Sequence, residues 1–368
     1  MKIAIDARGL RTSSGRYVER LIHYLQQVDQ RNHYLIMLSQ KDFDTWQPTN
    51  PNFSKVICPH KEYSFDEQIG FKKQLESLHP DLVHFAMVQQ PAWYHASPVV
   101  TTMQDLTTIR FRNPDKNPLI FWLKQQIYKW LNKRVARKSA HIITISEFVK
   151  KDIVNFTGVD PHKITVTLES ADELPSGGEP VAALANRQFI MYVGRPTPHK
   201  NLRRLINAFQ LLQATHPDLV LALAGKKDGN YARHERYIKE RGITNVVFTG
   251  FVSDEQLRWM YEHTAVYCFP SLSEGFGLPG LEAMLHGAPV ASSTATCLPE
   301  THGEAAHYFD PYNVKDMARA INDLLTDDRL RRQLIKNGKQ HVKTFSWQRM
   351  AEQTLAVYEQ YGRRDTDS

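Results

Sequence analysis

Ala265 to Ser292 reads AVYCFPSLSEGFGLPGLEAMLHGAPVAS. Its first five residues, AVYCF, are apolar, β-branched and aromatic and predict a strand; Pro289–Ser292 predicts another. Between them Glu274, Gly275 and Gly277 make a bend, and Pro279 fits the first turn of a helix. Gly287 and Pro289 close that helix after His286, so it has about 8 residues and runs ~12 Å. Strand, helix and strand in such close succession predict a parallel sheet with both faces covered.

The same alternation extends in both directions. Downstream of a linker, strands are predicted at Phe189–Val193, Leu219–Ala224 and Val246–Phe248, with helices at Asn201–Leu212 and Asp254–Tyr261. Upstream, Ile3–Ile5, Tyr34–Leu38, Leu82–Phe85, Val99–Thr102, Ile142–Ile145 and Ile164–Thr167 are strand-like, and Gly15 to Gln27 has a helical pattern. The linker is marked by Pro175, Gly177, Gly178 and Pro180. A chain of 368 residues suits two cores rather than one. The expected fold is α/β, two doubly wound Rossmann-like domains facing a central cleft. The expected boundaries are 1–172, a linker at 173–187, and 188–345, with a last helix at 346–361 packing back onto the first domain.

Bulk properties exclude several classes. With 42% apolar and 23% charged residues the chain is not disordered. A net charge of +7 permits phosphates or an anionic membrane surface as partners without demanding nucleic acid. Cys58, Cys268 and Cys297 lie far apart, so neither a disulfide framework nor a zinc site is indicated. MKIAIDARGL is broken by Asp6 and Arg8, against a signal peptide, and no run approaches a membrane span. The expected location is cytoplasmic, with peripheral contact at the cytoplasmic membrane allowed.

Ligands of open parallel sheets lie outside the carboxyl ends of the strands. Gly194 and Arg195 follow the FIMYV strand, and Lys200 comes where the next helix opens, a combination suited to a diphosphate. A solvated basic loop is the plainer alternative. Gly225 and Gly250 end two further strands, the second with Phe251 and Val252 beside it, where a flat base can rest. Glu274 and Glu282 bracket the glycine-led helix. Carboxylates there accept hydrogen bonds from vicinal hydroxyls while the helix amides take an anion. Dipole complementation alone, worth about 0.3–1 kcal/mol, accounts for Glu282 but not for Glu274 or the glycines.

These residues resemble the retaining glycosyltransferases of the GT-B architecture, specifically family 4, with its Glu-x7-Glu motif in SEGFGLPGLE. The resemblance spans nearly the whole chain, through VGRPTPHKN, TGFVSDEQL, IDARGLRTSSGRYV and ITISEFVKKDI. It implies that Glu274 meets donor-sugar hydroxyls, Glu282 the ribose, and Arg195 and Lys200 the diphosphate. Amides of Gly275, Phe276, Gly277 and Leu278 would lie along the sugar and phosphate, and Gly15 would approach the phosphate from the first domain. The implied reaction moves a hexose, mannose from GDP-mannose favoured over a UDP-sugar, to a glycan or lipid-linked acceptor with retention. Preorganised positive potential at the leaving phosphate serves this without a metal or cofactor. The Asp-x-Asp at Asp365-Thr366-Asp367 sits in a polar tail, and His302 and His307 lack metal spacing.

One departure lies at Thr102-Met103-Gln104-Asp105, where many relatives have His-Asp. Gln104 can hydrogen-bond a sugar hydroxyl but carries no cationic proton, while Asp105 is retained. Glu169-Ser170-Ala171 likewise replaces a common Asn-Gly turn. The alternative function is a nucleotide-sugar-binding subunit without turnover. A nicotinamide dehydrogenase is disfavoured because no G-x-G-x-x-G follows the first strand. Pro118 to Lys138, PLIFWLKQQIYKWLNKRVARK, has Lys124, Lys129, Lys133, Arg134, Arg137 and Lys138 and no acidic residue. Leu123, Ile127, Leu131 and Val135 fall at helical spacing and are expected to face the core. The surplus of Phe121, Trp122, Tyr128 and Trp130 suggests contact with anionic lipid headgroups; a buried helix with a solvated basic face is the alternative.

Overall fold

Lys2–Asp6 (β1) is the strand around which the first sheet grows: Ile3, Ala4 and Ile5 are wholly buried, as a strand covered on both faces must be. The computed structural model describes residues 1–10, 15–111, 118–227 and 229–362. The first sheet continues with His33–Leu38 (β2), Phe53–Ile57 (β3), Leu82–Phe85 (β4), Val99–Thr102 (β5), His141–Thr144 (β6) and Ile164–Val166 (β7). All its pairings are parallel, in the order β3-β2-β1-β4-β5-β6-β7. The second sheet holds Phe189–Val193 (β8), Val220–Ala224 (β9), Val246–Gly250 (β10), Val266–Phe269 (β11), Val290–Ser293 (β12) and Ala306–Phe309 (β13). Its order, β10-β9-β8-β11-β12-β13, repeats the same topology, again all parallel. Each sheet is doubly wound, with its order reversing beside the first strand, at β1/β4 and at β8/β11.

The described residues fall into two compact units. Unit 2 is built from Ser170–Phe345 together with residues 110–115, and unit 1 gathers the rest of the chain through Glu169 and the segment from Ser346. The helix Trp347–Tyr361 starts at Ser346, whose side chain accepts from the Arg349 amide. It packs on the helix Gly15–Val28 within unit 1. Its buried residues Met350, Thr354, Val357 and Tyr358 form one helical face, and the Tyr358 hydroxyl lies 2.5 Å from His84 Nδ1. The Pro- and Gly-rich stretch after Glu169 is mostly exposed. It is held to unit 2 by the Leu174 amide donating to His286 Nε2 and by Arg258 donating to the Leu174 carbonyl.

Two strands are additions to the sequence reading. β3 is a sheet edge, and its SKVI portion is at most half-buried, so no apolar run announces it. β13 is the opposite edge of the second sheet. A correction concerns the helix Pro118–Lys138. Its apolar stripe does not face the core throughout: Leu131 and Val135 are buried, but Leu123 and Ile127 are each 56% exposed. Trp122 and Trp130 are exposed as well, and the Trp130 ring lies 5.6 Å from that of exposed Trp93. Among the described residues no helix is long and apolar enough to cross a membrane.

Candidate active site

In unit 2 the topology places the loop after β8 beside the loop after β11, at the point where the strand order reverses. The first loop carries Gly194, Arg195 and Lys200; the second carries Glu274. Lys200 Nζ donates to Glu274 Oε1 at 2.6 Å, with both side chains largely shielded from solvent. The loops are also joined through the backbone, the Leu272 amide donating to the His199 carbonyl at 2.7 Å. His199 is held neutral, its pKa lowered to about 4 by burial and by the charge of Lys200. Arg195 is exposed at the rim. Two of the strongest sequence signals, 74 residues apart, therefore meet as one charged pair.

The helix expected to open at Asn201 begins one residue later. Pro198–Lys200 is a short 3-10 turn, Asn201 is left-handed at φ 60°, and the helix is Leu202–Leu212. Asn201 has a role that sequence reading missed: its buried amide donates to the Pro270 carbonyl at 3.0 Å and to the Pro311 carbonyl at 2.8 Å. One side chain thus ties together the loops leaving β8, β11 and β13.

The helix Leu278–Leu285 forms over the predicted residues, with Pro279 in its first turn and Gly277 before it. Glu282, one turn in, is 4% exposed, and the Tyr261 hydroxyl donates to its Oε2 at 3.3 Å. Gly277 is needed for a reason other than ligand approach. Its φ is 103°, and an added Cβ would lie 2.8 Å from Leu298 Cδ2, so the close neighbour is the protein itself. Behind the bend, the Glu274 amide donates to Thr296 Oγ1 (3.1 Å), Cys297 Sγ to the Glu274 carbonyl (3.3 Å) and Thr301 Oγ1 to the Phe276 carbonyl (2.7 Å). His302 Nε2 lies 3.2 Å from the Gly277 carbonyl and Nδ1 3.1 Å from Ser292 Oγ. Burial lowers the His302 pKa to about 4, so a neutral ring holds the loop. These four residues carry no motif spacing of their own; they position the loop that does.

Gly225 and Gly250 sit at adjacent strand ends, the Gly225 amide donating to the Gly250 carbonyl at 2.9 Å, and the Gly194 amide donates to the Ala224 carbonyl at 3.0 Å. Phe251 is 84% exposed and Val252 half-buried. His307 is engaged elsewhere, Nε2 lying 2.9 Å from Asp323. Asp365-Thr366-Asp367 and residues 11–14 of the IDARGLRTSSGRYV motif lie outside the described residues. Among the described residues no three His, Cys, Asp or Glu side chains are grouped to hold a metal ion.

Gly15, Gln104 and Asp105 belong to unit 1. Gly15 opens the helix after β1, and an added Cβ would fall 2.0 Å from the Leu10 carbonyl oxygen; here too the chain's own backbone uses the space. Asp105 Oδ1 accepts from the Thr107 amide at 2.7 Å, so the carboxylate shapes the turn after β5. Gln104 and Asp105 line a cavity of about 280 Å³ at the carboxyl ends of β4 and β5. Glu62, Tyr63, Gln89 and Tyr128 line it too. The Tyr128 hydroxyl has its pKa pushed up to about 12 by burial and by the charge of Asp105.

With this geometry in view, comparisons with known proteins agree with one another. The family described as Glycosyltransferase Family 4 matches residues 14–168, and Glycosyl transferases group 1 matches residues 180–341. An MMP alpha-(1->4)-mannosyltransferase from Mycolicibacterium hassiacum is 33% identical over 71% of this chain and 65% of its own length. The O-antigen chain mannosyltransferase B of Escherichia coli is 31% identical over 70% of this chain and 69% of its own length. Among solved structures, a sucrose-phosphate synthase from Thermosynechococcus elongatus superposes with a TM-score of 0.77. It covers 98% of both chains at 20% identity, a likeness of fold. The chain spans about two thirds of the length of the two mannosyltransferases it resembles.

Proposed function

The chain belongs to the family 4 glycosyltransferases and has the two Rossmann-like domains of the GT-B fold, and from that premise we propose that it transfers a hexose from a nucleoside diphosphate donor to a glycan or lipid-linked acceptor, with retention. The observation that carries this is the meeting of Lys200 with Glu274 at the switch point of the second sheet, in the loop that leads into the helix of buried Glu282. Mannose is the favoured hexose, supported by the two mannosyltransferase relatives, and GDP-mannose is the favoured donor.

In this reading Glu282 accepts from the ribose hydroxyls and Glu274 from hydroxyls of the donor sugar, its position set by Lys200. Gly194, Gly225, Gly250, Phe251 and Val252 border the nucleotide, and the Gly275–Leu278 amides border the phosphates and sugar. As the sugar–phosphate bond breaks, negative charge grows on the leaving phosphate. Arg195, Lys200 and the positive end of the Leu278–Leu285 helix stabilise it, which removes the need for a metal ion. Attack comes from the face the phosphate leaves, and that phosphate takes the acceptor proton. Gln104 and Asp105 serve the acceptor.

The exposed face of Pro118–Lys138 supports a further part of this reading. Trp122, Leu123, Ile127 and Trp130 stand in solvent on a helix with six basic residues and no carboxylate. An anionic lipid surface matches both the charge and the apolar face, and would bring a lipid-linked acceptor to unit 1.

The test is a donor screen. GDP-mannose should raise the thermal transition more than other nucleotide sugars and be hydrolysed slowly without acceptor. Glu282→Ala should weaken nucleoside diphosphate binding by about 1.5–3 kcal/mol. Turnover should persist in a chelator, and the product should keep the donor's anomeric configuration. A chain that binds donor without hydrolysing it is the inactive subunit instead; loss of turnover restored by manganese or magnesium overturns the metal-free part.

A further inference from the structure

Unit 2 keeps its unmet polar groups in one place. Among its described residues two buried side-chain atoms have no hydrogen-bond partner, the Tyr267 hydroxyl and Ser271 Oγ. Both lie on β11 or on the loop that leads from it to Glu274. Buried polar groups are nearly always bonded, and tyrosine hydroxyls find a partner when buried, so a deficit confined to this segment points to a use. Tyr267 is wholly buried. Strand alternation sets it with Phe269 on one face of β11, while Val266 and Cys268 join the core on the other. A phenylalanine would fill the same space without the unmet donor.

The surroundings identify the acceptor. The Tyr267 ring lies 5.7 Å from that of Tyr261, at 64° to it, and the Tyr261 hydroxyl is a donor to Glu282. That bond is long: 3.3 Å to Glu282 Oε2, with the Pro279 carbonyl 3.5 Å from the same hydroxyl. A hydroxyl has a single proton, and good O–H···O bonds measure ~2.5–3.0 Å, so Tyr261 holds the carboxylate loosely. Burial, Tyr261 and the charges of Glu282 and Glu274 raise the Tyr267 pKa well above its ordinary 10. The hydroxyl therefore stays protonated, in the field of both carboxylates. Glu274 already accepts from the Lys200 ammonium at 2.6 Å, whereas the hold on Glu282 has room to tighten. A carboxylate has about four acceptor positions, enough for two tyrosines and a diol.

We infer that Tyr267 is a positioning residue for Glu282: its hydroxyl donates to that carboxylate when the carboxylate turns to a ribose, and with Tyr261 it makes the site selective for ribonucleotides over 2′-deoxyribonucleotides. The inference rests on the reading of Glu282 given above and adds the groups that enforce the sugar choice. Ribose binding then satisfies a donor otherwise buried unpaired, a gain that a 2′-deoxy ligand does not evoke. A site whose buried polar groups are set for a hydroxyl rejects the analogue that lacks it.

Titration calorimetry on the full chain tests it, with GDP against 2′-deoxy-GDP and UDP against 2′-deoxy-UDP as probes. The wild type should bind the ribonucleotide of its preferred base at least about tenfold more tightly than the deoxy form. Tyr267→Phe should lower the ribonucleotide affinity several-fold and leave the deoxy form nearly unchanged, narrowing the ratio to about threefold or less. Its thermal transition should stay level or rise, since the variant removes an unpartnered buried donor and keeps the ring. Weaker, less selective binding without loss of stability is a signature that a structural role would not give. Tyr261→Phe should narrow the ratio as well, with a lowered transition. Tyr308→Phe is the control: its hydroxyl donates to the Gly303 carbonyl at 2.6 Å, so its loss should lower the transition and leave the ratio intact. A ratio untouched by Tyr267→Phe, one narrowed equally by Tyr308→Phe, or a Tyr267→Phe transition well below wild type overturns the inference. Equal binding of both forms by the wild type removes the ribose contact at Glu282 and the inference with it, while donor turnover by the same preparation leaves the transfer reading standing. No binding of any nucleoside diphosphate overturns that reading too.

Discussion

Lys200 makes the case at the scale of a single residue. Its contact with Glu274 means that replacing it removes a positive charge and leaves a shielded carboxylate without its partner. Lys200→Ala or Arg195→Ala should lower kcat about a hundredfold, and more than it raises the donor KM, because the phosphate's charge grows in the transition state. The Lys200→Ala/Glu274→Gln double variant should fall short of the sum of its singles, since the two side chains touch; strict additivity in steady-state kinetics counts against the pairing. Glu169 is a second case, outside the candidate site. Burial raises its pKa from the ordinary 4.5 to about 8, with the Arg16 charge opposing. The folded state therefore holds this proton more tightly than the unfolded chain does. Its contribution is fully present below about pH 4.5 and is lost as pH rises towards 8. Glu169→Gln should remove that loss. The difference between wild-type and variant stability, from denaturant unfolding at pH 5 to 8, isolates it from the histidines; a difference flat across that range places the carboxyl in a solvated site instead.

Among the elements, legibility followed burial. β4, β5 and β8 occupy the residues their sequences predicted, because each is an interior strand buried along nearly its whole length. β3 was invisible because an edge strand need bury only one residue in five, here Phe53. The site divides in the same way. Glu274, Glu282 and Lys200 were readable because a glycine-led bend and a helix start have local signatures. Thr296, Thr301, His302 and Asn201 were not, because their partners lie 22 to 110 residues away and their spacing encodes no period. The helix Pro118–Lys138 misled through its own regularity: an i, i+4 stripe looks the same whether it meets a core or solvent. Its exposed half carries the lipid prediction. The protein should float with anionic but not neutral vesicles and be released by high salt, each basic residue near the surface adding about 1 kcal/mol. Replacing exposed Lys124, Lys133 and Arg134 by Glu should abolish flotation without loss of fold. Equal recovery with both vesicle types, or with neither, leaves the exposed stripe unexplained by lipid.

For the molecule as a whole, the order of residues along the chain and the order of folding units differ. The helix Trp347–Tyr361 follows all of unit 2 in sequence yet is part of unit 1. There it completes the cover over the first sheet. Tyr358 is wholly buried and bonds His84 of β4, whose Nε2 in turn lies 2.8 Å from Thr102 Oγ1 at the end of β5. Tyr17, from the helix Gly15–Val28, joins the same cluster, its hydroxyl 2.9 Å from Thr102 Oγ1. His84 is neutral, its pKa lowered to about 3 by burial, so the cluster holds without a buried charge. Taking the helix away would expose Met350, Ala351, Val357 and Tyr358 partners and leave His84 without one of its two hydrogen bonds, a loss of the kind that costs about 1–3 kcal/mol for the polar group alone. Deleting residues 346–368 should therefore unfold unit 1 selectively. Calorimetry should show its transition shifted down or lost while a second transition persists near the wild-type temperature, and amide exchange should locate the lost protection in β1, β4 and β5. Nucleoside diphosphate should still raise the surviving transition, since Glu282, Lys200 and Arg195 all lie in unit 2. If the truncated chain instead keeps both transitions, the contact at Tyr358 is incidental and unit 1 is complete without it. If both are lost together, the two units unfold as one and stability passes between them.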